Sequence, residues 1–213
     1  MLVSELIQRS GTAPRALTGD AEISSIVSDS RQVQPGALFV CMPGKNVESH
    51  AFIPQAVEAG ATAVLAHSEA GFVMAGDLGV ACFWAGLENG EFTELIWRIA
   101  KEFHGNLTQN MLVVGVTGTN GKTTTAWVLR DMLAAVGRSP AYIGTLGIQT
   151  PAGSSLLENT TPLPVEINNL IAECVRDGAD ALAMEVSSHA LTEHRADGIE
   201  FDAAVFTNLT QDP

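Results

Sequence analysis

The sequence predicts an α/β protein of two domains, the second of which is a doubly wound, mostly parallel sheet. Three observations predict this fold. Short apolar runs alternate with segments of helical period, a polar stretch interrupts both patterns near the middle of the chain, and a glycine-rich loop then joins a strand to a helix. The length of 213 residues is enough for one or two domains that each close a hydrophobic core.

The first half of the chain predicts a small α/β domain. Pro35 and Gly36 indicate a turn, because proline presets one backbone dihedral and glycine accepts the next. In residues 92–103 the apolar side chains recur at helical spacing, which predicts a helix with one buried face. Residues 73–79 show no period and are predicted to form a loop. The other predicted elements are strands at 37–41, 63–66 and 80–84 and a helix at 52–59.

The second half predicts alternating strands and helices. Residues 104–110 are polar and lack either period, so we place the domain boundary between residues 107 and 108. Beyond it the strand runs are continuously apolar, as expected of parallel strands covered on both faces by helices. Strands are predicted at 111–116, 141–144, 181–184 and 203–206, and helices at 122–136 and 164–176.

Composition and charge exclude several classes of protein. The chain has 24 acidic and 11 basic residues, a net charge of −13, and no basic cluster, so we expect no nucleic-acid partner. No apolar run approaches the roughly 18 residues that span a bilayer, and no signal peptide is evident, so we expect a cytoplasmic protein without a membrane partner. Cys41, Cys82 and Cys174 lack CxxC spacing and are predicted to be reduced core thiols.

A glycine-rich loop follows the apolar strand that ends near Val116. Its glycines allow backbone N–H groups to surround phosphate oxygens at the start of a helix, the lysine adds a full charge, and a threonine hydroxyl can complete a Mg²⁺ shell. An ordinary glycine-rich turn capped by threonines is the alternative, but the Lys-Thr-Thr after glycine favours phosphate binding. The loop residues are Gly118, Thr119, Asn120, Gly121, Lys122, Thr123 and Thr124.

Other polar residues could complete a site with this loop. Glu185 ends an apolar strand, where a carboxylate could hold Mg²⁺ or pair locally, and His189 is left open. A polar loop at 159–161 could bind an anion or simply cap the next helix. Arg195 suits a carboxylate or phosphate, although a surface salt bridge is the ordinary explanation.

Five ordered segments make the chain resemble the Mur ligase family, in particular the members that add the third residue of the peptidoglycan peptide. The resemblance covers essentially the whole chain, because the segments are spread along most of its length. They are residues 29–40, 117–124, 159–162, 185–191 and 206–212.

The resemblance implies an ATP-dependent ligase of peptidoglycan precursor synthesis. The family transfers the γ-phosphoryl of ATP to the D-glutamyl carboxylate of UDP-N-acetylmuramoyl-L-alanyl-D-glutamate, and the amino group of diaminopimelate or lysine then attacks the acyl phosphate. ATP would lie on residues 118–124 with Lys122 as catalytic residue, and Thr123 and Glu185 would hold Mg²⁺. The UDP end of the substrate would lie at Ser28, Ser30, Lys45 and Asn46, and its muramoyl-dipeptide end at Asn159, Thr160, Thr161, Ser187, Glu193 and Arg195.

The resemblance also implies domain roles. Residues 1–107 would bind the UDP precursor, and residues 108–213 would be the first, incomplete part of the P-loop ATP-binding domain. Family members continue with a metal-site histidine and a C-terminal domain, so we expect this chain to be inactive alone. Separately, we expect a monomer. Glu193 and residues 48–50 depart from the family pattern.

Two alternative functions stay open. One is a non-catalytic UDP-sugar or nucleotide-binding module. The other, an NTPase that drives conformational change, ranks last, because we see no clear Asp-ended strand to supply its second metal motif.

Overall fold

A computed structural model describes residues 1–43 and 49–210. The chain divides into two compact units, residues 1–103 and 104–213, so the division lies four residues before the expected boundary. Lys45 and Asn46, expected to contact a UDP group, lie outside the described residues. Nowhere in the described part of the chain does a helix have the length and apolar character needed to cross a membrane.

The first unit is a five-stranded sheet with helices packed against it. The strand order is β1-β5-β4-β3-β2, with all neighbours parallel except the antiparallel pair β1 and β5. Strand β3 is buried along its whole length, as its apolar run predicts. The elements are α1 (Val3–Arg9), β1 (Ala16–Thr18), β2 (Ser25–Val27), β3 (Ala37–Val40), α2 (Ile53–Glu58), β4 (Ala61–Ala66), α3 (Glu69–Asp77), β5 (Ala81–Trp84) and α4 (Asn89–His104).

Helix α3 corrects the prediction of a loop at residues 73–79. The Oγ of Ser68 accepts a hydrogen bond from the Gly71 N–H at 3.2 Å and so caps the helix. The helix buries only Gly71 and Ala75. Because these side chains are small, the segment carries too little apolar periodicity to reveal a helix in the sequence.

The second unit is a six-stranded sheet of order β11-β6-β10-β7-β8-β9. Strands β11, β6, β10 and β7 are parallel, and β8 and β9 extend the sheet as an antiparallel hairpin. The carboxyl ends of the four parallel strands therefore meet at one edge. The elements are β6 (Leu112–Thr117), α5 (Lys122–Ala135), β7 (Pro140–Gly144), β8 (Gly147–Gln149), β9 (Ser154–Ser155), α6 (Pro164–Arg176), β10 (Ala181–Glu185), α7 (Ser188–Thr192) and β11 (Ala203–Phe206).

Strand β11 differs from the expected strand covered on both faces. Ala203, Ala204 and Phe206 are exposed, and Phe206 keeps 61% of its surface accessible. The strand lies at the edge of the sheet and pairs with β6 alone among the described strands. Val205 packs on the core cluster that contains Val116 and Tyr142.

The three cysteines are free and buried in the structure. Burial raises the pKa of Cys41, Cys82 and Cys174 to about 12, so each stays a neutral thiol at physiological pH. They behave as apolar core residues, as the sequence predicts.

Candidate nucleotide site

The phosphate loop, residues 118–124, leaves strand β6 and enters helix α5. Gly118 has φ +128° and Gly121 has φ +84°, conformations that side-chain-bearing residues rarely adopt. The carbonyl of Gly121 accepts the Thr125 N–H at 2.9 Å, so the helix begins immediately after this glycine. The glycines are therefore required by the backbone path from strand to helix.

The segment that follows β11 holds the phosphate loop from one side. The Asn208 side chain accepts the Asn120 N–H at 3.1 Å and donates to the Asn120 carbonyl at 3.0 Å. The Thr119 hydroxyl donates to the Thr210 carbonyl at 2.8 Å and accepts the Thr210 N–H at 3.1 Å. In the sequence, residues 206–212 stand out only as a family segment, because no local pattern indicates that they contact a loop some 90 positions earlier.

The first turn of α5 presents hydrogen-bond donors at this edge of the sheet. Within residues 1–43 and 49–210, no protein group accepts a hydrogen bond from the N–H groups of residues 121–124. The Lys122 ammonium lies on the loop, where it donates to the carbonyls of Gly118 at 2.7 Å and Thr119 at 3.1 Å. The helix dipole adds partial positive charge at the same place, so the arrangement favours an anion with several oxygen acceptors.

Glu185 lies at the end of β10, and its side chain is fully buried. Its Oε2 accepts hydrogen bonds from the hydroxyls of Thr123 at 2.9 Å and Thr145 at 3.2 Å. Its Oε1 accepts the Thr145 N–H at 2.9 Å and the hydroxyl of Tyr142. The predicted metal-site pair, Thr123 and Glu185, is thus in direct contact across 62 positions of sequence.

Tyr142 is a contact that sequence reasoning missed. It lies in β7, which pairs with β10. Its ring packs edge to face on the Trp127 ring, with 5.2 Å between the ring centroids. Burial, followed by the hydrogen bond to Glu185, raises the pKa of this phenol well above its usual range. The hydroxyl therefore stays protonated at neutral pH and donates to the carboxylate.

The oxygen atoms around Glu185 fit a hard divalent cation. Mg²⁺ prefers oxygen ligands and is usually bound by one or two carboxylates together with substrate phosphates and waters. Glu185, Thr123 and Thr145 supply one carboxylate and two hydroxyls beside the phosphate loop. The described residues contain no cluster of three or more His, Cys, Asp or Glu, so a cation here would need phosphate or water oxygens as further ligands.

The residues expected at the muramoyl-dipeptide end gather next to Glu185, mostly through hydrogen bonds within the protein. The Thr160 hydroxyl lies 3.0 Å from that of Thr145. Ser187 caps α7 by accepting the Ala190 N–H. Arg195 donates to the Thr161 carbonyl at 2.9 Å and pairs with Glu193, while Glu193 also pairs with His189. Asn159 is exposed.

Ser28 and Ser30 lie in the first unit, directly after β2. Asp29 between them caps a short 3-10 turn, Ser30–Gln32, by accepting the Arg31 N–H. The Ser30 hydroxyl donates to the side-chain oxygen of Gln55 at 3.0 Å. These polar groups lie at the carboxyl end of a parallel strand, which is where open α/β sheets bind ligands.

Thr161 is a structural link in this site. It is 1% exposed, donates to the Glu185 carbonyl at 3.0 Å and accepts the Ser187 N–H at 3.0 Å. Thr161→Val removes this partner from the Glu185 carbonyl and from the half-buried Ser187 N–H, and it is expected to lower the free energy of unfolding by about 2 kcal/mol. Thr161→Ser keeps the hydroxyl and should cost less than half of that. Urea denaturation of the two variants measures the difference, and equal losses would contradict the assigned hydrogen bonds.

Comparison with known proteins agrees with this geometry. The family profile described as Mur ligase middle domain matches residues 116–212, which contain the phosphate loop, Glu185 and the segment after β11. The profile described as Mur ligase family, catalytic domain, matches residues 22–80. The chain belongs to the Mur ligase family. Mur ligases are ATP-dependent ligases.

Two sequence relatives and one solved structure share a name. UDP-N-acetylmuramoyl-L-alanyl-D-glutamate–2,6-diaminopimelate ligase of Syntrophomonas wolfei is 41% identical over 193 residues, 91% of this chain and 38% of its own length. The ligase of the same name from Gloeobacter violaceus is 38% identical over 213 residues, 100% of this chain and 42% of its own. A solved structure with that name superposes with a TM-score of 0.67 at 26% identity, covering 90% of this chain and 37% of the other. The chain thus spans about two fifths of its relatives' length.

Proposed function

We propose that this chain is the precursor-binding and phosphate-binding part of an ATP-dependent ligase that adds diaminopimelate to UDP-N-acetylmuramoyl-L-alanyl-D-glutamate in the cytoplasm. Residues 1–103 would bind the UDP end of the precursor, and residues 104–213 the triphosphate of ATP. The choice of diaminopimelate over lysine follows the names of the relatives at 38–41% identity. We expect the chain to act as a monomer.

One observation carries the proposal: the contact between the phosphate-loop hydroxyl of Thr123 and the carboxylate of Glu185. Phosphoryl transfer depends on positioning and on the neutralisation of charge, because the donor and acceptor are both anions. A loop with unused N–H donors, a lysine and a carboxylate that can share a metal with the phosphates is suited to that task. An ordinary capped turn would have no use for a buried carboxylate at the same place.

The backbone and side-chain groups of the site would have different roles toward the nucleotide and the precursor. The N–H groups of residues 121–124 would bind phosphate oxygens, and Lys122 would turn from the loop carbonyls to the transferring phosphoryl group. Thr123 and Glu185 would hold Mg²⁺, which when bound would offset the negative charge of the phosphates. Thr160, Ser187 and Arg195 lie at the same edge, where the D-glutamyl carboxylate of the precursor would have to approach.

Separate calorimetric titrations of the 213-residue chain test this proposal. We expect Mg²⁺·ATP and UDP-N-acetylmuramoyl-L-alanyl-D-glutamate each to bind with one-site stoichiometry. Ligase activity itself, measured as diaminopimelate-dependent release of phosphate, is to be assayed on the complete gene product that contains these residues. Binding of the precursor without any response to Mg²⁺·ATP would instead support a UDP-sugar binding module. Binding of neither ligand would overturn the proposal.

A further inference from the structure

Tyr142 is the sole tyrosine of the chain, and it is fully buried. Its ring belongs to the core of the second unit, yet its hydroxyl reaches the carboxyl edge of the sheet. There it donates to Oε1 of Glu185 and accepts the Leu146 N–H at 3.3 Å. Packing on Trp127 holds the ring, so the position of the hydroxyl is determined by the core rather than by a mobile loop.

The two oxygens of the Glu185 carboxylate have different partners. Oε1 accepts from Tyr142 and from the backbone N–H of Thr145, groups that cannot turn away without moving the core or the chain. Oε2 accepts only from the side-chain hydroxyls of Thr123 and Thr145 among the residues that the structure describes. A threonine hydroxyl can rotate and use its lone pairs, so it can turn from donor to metal ligand.

At Gly144 the backbone lies very close to the Glu185 carboxylate. A Cβ at this position would overlap Oε1 of Glu185 and would lie 2.7 Å from the carboxyl carbon. Since the backbone of β7 passes directly beside the carboxylate, the Glu185 side chain cannot shift toward β7 into another conformation. The next residue, Thr145, is exposed, and its hydroxyl donates to Oε2 of the carboxylate.

From these contacts we infer that Tyr142, together with the Thr145 N–H, is a positioning residue that holds Oε1 of Glu185 inside the protein and leaves Oε2 as the single oxygen offered to a divalent cation. This inference rests on the proposed function, because it takes Glu185 as a metal ligand. The hydrogen bonds of a ligating carboxylate orient it, and their loss typically weakens metal binding by about 10-fold or more. Tyr142 would touch neither nucleotide nor metal.

Two affinities of the Tyr142→Phe variant separate this role from a structural one. Binding of Mn²⁺ to the ADP-saturated chain is measured by electron paramagnetic resonance, and binding of ADP in excess EDTA by calorimetry. We expect Mn²⁺ affinity to fall about 10-fold and metal-free ADP affinity to stay within about two-fold. The control is Thr150→Val, which removes a hydroxyl that donates to Asp177 at 2.6 Å in the same unit and should change neither affinity.

The outcomes distinguish the inference from the proposed function. Unchanged Mn²⁺ affinity in Tyr142→Phe, or an equal loss of both affinities, overturns the inference alone. Failure of the unsubstituted chain to bind Mn²⁺·ADP overturns the proposed function and the inference with it.

A second measurement does not depend on the variant's folding. Because the chain has one tyrosine, incorporation of 3-fluorotyrosine gives a single ¹⁹F resonance from residue 142. We expect that resonance to shift when Mg²⁺ is added to the chain saturated with ADP, and not when ADP is added in EDTA. A resonance that ignores Mg²⁺ while ADP is bound would overturn the inference.

Discussion

Replacing Lys122 with methionine is expected to weaken the binding of Mg²⁺·ATP by about 100-fold without unfolding the second unit, since a hydrogen bond to a charged group is worth roughly 1.5–3 kcal/mol and this ammonium would make more than one. The side chain is half-buried and bonds to two loop carbonyls at a turn. Water can replace the ammonium at those carbonyls, so the fold should tolerate the loss, whereas the phosphates lose a full charge.

Lys101→Met is the matched control for this charge change. Lys101 is exposed on α4 in the first unit, and its substitution alters the net charge of the chain by the same amount. Calorimetric titration with Mg²⁺·ATP and circular dichroism should show Lys101→Met with unchanged affinity and both variants with native helix content. An equal loss of affinity in the two variants would mean that only overall charge matters and that Lys122 has no specific contact.

Gly118→Ala should both destabilise the second unit and abolish nucleotide binding. A Cβ on Gly118 would overlap the Thr207 hydroxyl and would lie 2.9 Å from the Asn208 carbonyl oxygen. The segment after β11 would have to move away from the loop, which breaks the hydrogen bonds between Asn208 and Asn120. Overpacking and backbone strain together are expected to cost about 3 kcal/mol of unfolding free energy.

Gly121→Ala in the same loop isolates the steric part of this effect. Gly121 also has positive φ, but apart from its chain neighbours no atom of residues 1–43 or 49–210 lies within 4 Å of a Cβ built there. Its substitution should lower the free energy of unfolding by only about 1 kcal/mol, the strain of alanine in a left-handed conformation. Part of the nucleotide affinity should remain. Urea unfolding followed by circular dichroism and titration with Mg²⁺·ADP compare the two variants. If Gly121→Ala is the more harmful, the contact with residues 207–208 is not what shapes the loop.

The fold class and most elements of both units could be predicted because their signals are local. Helix α6 and strand β10 carry strong periodic or continuous apolar patterns, and both form at the predicted places. Helix α3 was missed because it buries only small residues, and the exposure of β11 was missed because edge position depends on the pairing of strands. Neither feature can be predicted from the pattern of residues in a short stretch of sequence.

Some residues of the candidate site can be predicted from local sequence, and others cannot. Gly118, Gly121, Lys122 and Thr123 stand out because a phosphate loop is a contiguous motif, and Glu185 because it ends an apolar strand. Tyr142 gives no such signal. In the sequence it is one aromatic residue in an apolar run, the ordinary pattern of a core position, and only the pairing of β7 with β10 places its hydroxyl on Glu185.

By itself, the sequence determined the two-domain α/β organisation, the family and the position of the candidate phosphate loop, because each depends on residues that are neighbours in the chain or recur at a regular period. Only the tertiary structure decided that Asn208 holds Asn120, that Thr123 meets Glu185, and that one carboxylate oxygen is taken up by Tyr142. Parallel strands bring their carboxyl ends to one edge whatever their separation in sequence. The contacts made there depend on the order of the strands, which no local pattern encodes.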